Sequence, residues 1–122
     1  MKRIKVYVIA KGFHNWEPAE AYGELVFLST APFGRTSVSN MVRTFSPVLE
    51  ESEPEDFIII SGLSVMCSIA CSLFVLKHRR LNLLLFDAAT EKYVKRTVIF
   101  DQGEKESEIV GPNSTSGYME RN

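Results

Sequence analysis

From Phe57 to Leu76 the chain runs for 20 residues without a formal charge, then meets Lys77-His78-Arg79-Arg80. A run of that kind belongs inside a layered domain or inside a bilayer. It opens with Phe57-Ile58-Ile59-Ile60. Neighbouring residues of a strand point to opposite faces, so a strand apolar throughout is one covered on both sides. Ser61-Gly62 breaks the run, and from Leu63 to Lys77 the spacing becomes helical, with Met66, Ile69, Ala70, Leu73 and Phe74 on one stripe. The basic cluster follows where a helix dipole favours cations. A membrane-crossing helix is the competing reading, and its cationic flank suits it. The Ser61-Gly62 break, the serines of the helix and the return of a strand pattern in Leu81 to Phe86 favour an α/β core in water, with no membrane partner.

The rest of this helix is unusual. Ser64, Ser68 and Ser72 follow one another four residues apart, flanked by Cys67, Cys71 and Val75, and no charge interrupts them. A surface helix of a monomer carries charge on its outer face, so this one is expected to be covered all round, or covered by a second chain. The pattern therefore predicts a homo-oligomer, a dimer first of all, with Ser64, Cys67, Ser68, Cys71, Ser72 and Val75 at the contact.

The flanking sequence completes an α/β pattern. Lys2 to Ala10 alternates, with Ile4, Val6, Val8 and Ala10 on the better-buried face. A loop rich in aromatic residues, Lys11 to Glu17, leads to one helical turn beginning at Pro18 and closed by Gly23. Glu24 to Ser29 is a second strand. Thr36 or Ser37 then caps a helix running to about Phe45, which Ser46-Pro47 is expected to interrupt. Leu81 to Phe86 and Lys92 to Phe100 form a hairpin, the latter strand looking half-exposed like an edge. The predicted order is β-β-α-β-α-β-β: a small Rossmann-like mixed sheet with an antiparallel edge hairpin and right-handed crossovers. Residues 1–100 form one α/β domain. Asp101 to Asn122, poor in apolar residues, is predicted to be a disordered tail.

The run Ser61-Gly62-Leu63-Ser64-Val65-Met66, followed by Arg80-Leu81-Asn82-Leu83-Leu84-Leu85-Phe86, resembles small uncharacterised proteins carried by tailed phages, over roughly residues 4 to 100. The resemblance implies a phage origin, and with it the host cytoplasm; it implies no activity.

Open α/β sheets bind ligands beyond the carboxyl ends of their strands, near helix N-termini. The second strand leads into Ser29, Thr30, Arg35, Thr36 and Ser37, the third into Ser61, Gly62 and Ser64, and a parallel first strand adds Lys11 and His14. Hydroxyls, backbone N–H groups and Arg35 at one sheet edge make a cradle for a small anionic or nucleotide-like ligand. Serines and threonines at these places also cap helices in proteins that bind nothing, so both readings stand.

Composition and motifs narrow the rest. A net charge of −1 gives no reason for a nucleic-acid partner, and no secretory signal opens the chain, which places it in the cytoplasm. Cys67 and Cys71 read as small buried hydrophobes; neither His14 nor His78 stands at metal-ligand spacing to them, and no cofactor motif occurs. There is no GxSxG elbow, and a triad of Ser64, His14 and an aspartate can be drawn only because the chain holds a few of each; geometry, not sequence position, defines a triad. The sequence thus leads to a self-associating, non-enzymatic α/β protein with a small anionic ligand. A ligand-free structural or interaction module comes second, and a small hydrolase or transferase third.

Overall fold

β1 (Lys5–Val8) lies in the middle of a five-stranded sheet of order β2-β1-β3-β4-β5. The structure, a computed structural model, describes residues 3–100; the predicted tail from Asp101 to Asn122 lies outside the described residues. β2 (Glu24–Phe27) and β3 (Phe57–Ile59) flank β1 in parallel, with Val6 level with Leu25 on one side and Phe57 on the other. β4 (Arg80–Asp87) continues the parallel set, and β5 (Lys92–Ile99) pairs back antiparallel at the edge. The mixed α/β sheet and its edge hairpin match the sequence reading. The first strand differs in burial: Val6, Tyr7, Val8 and Ile9 are all buried, so both of its faces are covered, not one. Its central position explains this, because elements pack against it from above and below.

Those elements are unequal. α1 (Val38–Leu49) and α2 (Ser64–His78) lie together on one face, where Met41, Phe45, Leu49, Met66, Ala70 and Phe74 meet Tyr7, Ile9 and Ile58. The opposite face, carrying Val6, Val8, Ile59 and Leu84, is covered by Ala19 of a short 3-10 helix (Glu17–Ala21) with Trp16 and Tyr22 beside it. The right-handed crossover rule accounts for the split. The first crossover carries the chain toward one edge and the next two toward the other, so they pass over opposite faces.

Pro47 sits inside α1 instead of ending it. A proline near the last turn removes one intrahelical hydrogen bond. The acceptor that loses its partner belongs to Arg43, which is exposed, and burial of Phe45 and Leu49 on either side of Pro47 holds the helix in line. Neither Ser37 nor Leu63, the residues preceding α1 and α2, supplies a side-chain cap. α2 also departs from the expectation of cover all round. Met66, Ala70 and Phe74 are buried, whereas Ser64, Ser68, Ser72 and Leu76 form an exposed stripe on the single chain. Serine hydroxyls are solvated without bearing charge, so an uncharged face need not be a dry one. Among the described residues no helix is long and apolar enough to cross a membrane.

α2 stops at Arg79, which takes the left-handed conformation (φ 58°) and lets β4 start one residue later. Asn82 then fastens the hairpin to the sheet. Its amide donates to the carbonyls of Pro54 (2.6 Å) and Asp56 (2.8 Å), and its Oδ1 accepts from Thr97 (3.0 Å) and Arg80.

Candidate functional site

At the carboxyl end of the sheet, β1 and β3 send their connections to opposite faces. Adjacent parallel strands that diverge in this way leave a crevice between them. Its base is fixed by Ser61, whose hydroxyl donates to the carbonyl of Ala10 (2.9 Å) and accepts from the N–H of Ala10 (2.9 Å). Gly62 follows with φ +90°, and a Cβ on it would lie 2.6 Å from the Cβ of Ala10. Only glycine combines that conformation with so close an approach. Gly12, at φ +53°, turns the β1 connection away on the other side.

Two clefts meet over Ala10, Gly12 and Gly62. The first, about 420 Å³, opens on the face of the 3-10 helix. Its walls are His14 and Trp16 from the β1–β2 connection and Phe86 and Tyr93 from the hairpin, over Ile59 and Leu84. The second, about 480 Å³, opens on the α-helical face between Ser29, Thr30, Pro32 and Phe33 on one side and Leu63 and Met66 of the α2 start on the other. Both volumes are in the range of small-molecule sites.

The sequence-predicted residues divide accordingly. Ser29, Thr30, Lys11 and Gly62 line the second cleft, and His14, Ser61 and Gly62 the first. The Ser29 hydroxyl is engaged with the carbonyl of Ala31 (2.7 Å) and that of Ser61 with Ala10, so these two shape the crevice. The Lys11 ammonium lies 5.2 Å over the Phe27 ring, within reach of the crevice mouth. Arg35, Thr36 and Ser37 precede α1 and lie outside the lining of either cleft, as does Ser64, exposed at the start of α2. The sequence reading passed over Trp16, Phe86 and Tyr93, although the aromatic content of the Lys11 to Glu17 loop pointed toward Trp16.

Cys67, Cys71, Ser52 and His78, the other groups with nucleophilic or acid–base chemistry, lie outside the lining of both clefts. Burial raises the thiol pKa of Cys71 to about 11 and also raises that of Cys67, whose Sγ donates to the Ser61 carbonyl (3.4 Å). Both therefore stay protonated near neutrality, unlike a nucleophilic thiolate. The one serine–histidine hydrogen bond among the described residues, Ser52 to His78 Nε2 (2.8 Å), joins the ends of α1 and α2. There the Ser52 hydroxyl already donates to the Leu49 carbonyl (2.6 Å), so the imidazole donates to it and cannot take its proton. No three His, Cys, Asp or Glu side chains cluster as metal ligands among the described residues.

No curated protein and no solved structure matches the chain. A family model matches residues 4–99, the whole sheet with both α-helices, and by it the chain belongs to the family described as Phage Pam3 gp32-like protein.

Proposed function

We propose that this protein is a non-catalytic binding module that holds a small ligand with an anionic group at the carboxyl end of its sheet, and that it acts as a homodimer. The observation that carries the ligand reading is the crevice over Ala10, Gly12 and Gly62. It lies where parallel sheets bind ligands, and the second cleft reaches the start of α2, which has neither a side-chain cap nor an acidic residue in its first turn. The backbone N–H groups there, with Thr30 and Lys11, suit a phosphate or carboxylate. The committed hydroxyls of Ser29 and Ser61 support binding over turnover.

Thermal denaturation with inorganic phosphate and a panel of phosphorylated and carboxylated metabolites tests the ligand. A ligand at about a hundred times its Kd stabilises by about 2.7 kcal/mol, and the shift should disappear in Thr30→Ala or Lys11→Ala. Silence across the panel would favour the reading of an interaction module without ligand. That second reading is supported by the exposed stripe Ser64, Ser68, Ser72 and Leu76 of α2 and by Val38 and Val42, exposed on α1. Sedimentation tests the dimer: Ser68→Arg should yield monomers, and a parent already monomeric at high concentration removes it.

A further inference from the structure

The first cleft has properties of its own. We infer that it takes an uncharged planar heteroaromatic ring of the nucleobase class; the inference rests on the proposed crevice for its location. No Asp, Glu, Lys or Arg lines this cleft, so an anionic group buried there would meet no fixed cation. What the lining offers instead is π-faces from two separate elements, Trp16 and His14 against Phe86 and Tyr93. The rings are held before any ligand arrives. Trp16 Nε1–H donates to the Lys11 carbonyl (2.7 Å), and the His14 ring lies 5.3 Å from it. Tyr22 donates its hydroxyl to the Tyr93 carbonyl (3.2 Å), and Tyr93 meets Phe86 edge-on at 5.4 Å. With its own N–H satisfied, Trp16 has only its ring face left to offer.

An aliphatic ligand would fill such a space but leave its polar rim unmatched. Asn15 spends its Oδ1 on the N–H of Glu17 (3.1 Å) and keeps its amide NH₂, and the His14 imidazole is exposed beside it. A heterocycle with donors and acceptors around its edge answers both, stacking on the aromatic walls and hydrogen bonding at the rim. Phe86 is 55% exposed, a large ring left uncovered at the mouth of the cleft.

Trp16 is the sole tryptophan of the chain, so its fluorescence reports on ligands bound against it. It also borders a groove with Lys11, Glu17 and Phe27, and Phe86, which lines the aromatic cleft but not that groove, tells the two apart. Titration of the full chain with adenosine, guanosine, cytidine and uridine should give saturable quenching by at least one of them. Stacking on an aromatic side chain is worth about 1–3 kcal/mol per base, so Phe86→Ala should weaken the apparent Kd at least about fivefold. His14→Ala, on the exposed loop, should weaken it too and serves as the second variant should Phe86→Ala fold poorly. Linear, unsaturable quenching by every nucleoside, or an affinity indifferent to both variants, would overturn the inference. A thermal shift with inorganic phosphate but none with nucleosides would sink it while leaving the anion reading intact. Nucleoside binding without any response to phosphate would uphold it and count against that reading.

Discussion

Ser61 closes both backbone groups of Ala10 with a single hydroxyl, donating to the carbonyl and accepting from the N–H, each at 2.9 Å. The ladder between β1 and β3 is thereby extended past the last strand residues by a side chain. Each such bond contributes roughly 1 kcal/mol net. Ser61→Ala should therefore cost about 1–3 kcal/mol in urea denaturation. An unchanged midpoint would mean that Ala10 finds water in place of the hydroxyl.

Arg79 ends α2 with φ 58°, where a residue bearing a Cβ is strained by roughly 1–2 kcal/mol. Its N–H still donates to the Val75 carbonyl (2.8 Å), and its own carbonyl accepts from Phe100 (2.9 Å), so the backbone there is committed. Arg79→Gly should raise stability by about 0.5–1 kcal/mol, glycine's added unfolded-state freedom offsetting part of the relief. A lower denaturation midpoint would show that the guanidinium stabilises the fold through a contact of its own.

Tyr7 is 1% exposed, and its hydroxyl has no hydrogen-bond partner among the described residues. Burial, with Asp56 and Glu51 nearby, pushes its pKa up to about 12, so it stays neutral near physiological pH. Leaving a buried donor unsatisfied costs roughly 1–3 kcal/mol. Tyr7→Phe keeps the ring and removes the donor, and should hold or raise the thermal midpoint. A loss of more than about 1 kcal/mol would reveal a bound water serving that hydroxyl.

His78 is expected to cost the fold some stability as the pH falls. Its pKa is lowered, first by burial and then by Lys77 beside it, against the weaker opposing pull of Asp56, Glu53 and Glu55. A folded-state pKa below the unfolded one means that the unfolded chain binds the proton more readily. The contribution is then complete above the ordinary histidine value of about 6.5 and is lost as pH falls from there through the folded pKa. Thermal midpoints at pH 7.5 and pH 5 should differ less in His78→Gln, which can still donate to Ser52, than in the parent. Equal slopes would assign the acid sensitivity to other groups.

What the sequence made legible was what depends on near neighbours along the chain. The β-branched run at Phe57, the stripe through Met66, Ala70 and Phe74, and the short connection from Asp87 to Lys92 each declare themselves within a dozen residues. The misreadings lie where distant packing decides. Pro47 stays helical because Phe45 and Leu49 are buried on either side of it, and Tyr7 is interior because β2 and β3 both choose β1 as neighbour. The aromatic cleft was the least visible, since Trp16 and Tyr93 come together only through strand order and the register that sets Phe86 opposite Tyr93. The glycine at 62 was read as a turn; that it also makes room for Ala10 is a fact of three dimensions.

The place of β1 in the sheet also bears on how the chain is made. β1, enclosed on both sides, is synthesised before either neighbour, and the second of them, beginning at Phe57, follows some 50 positions later. Until then an apolar ribbon stands open along one edge. Long-range parallel pairing of this kind is slow and exposes nascent chains to aggregation, so the yield of native protein should depend on translation speed and growth temperature more steeply than its final stability would suggest.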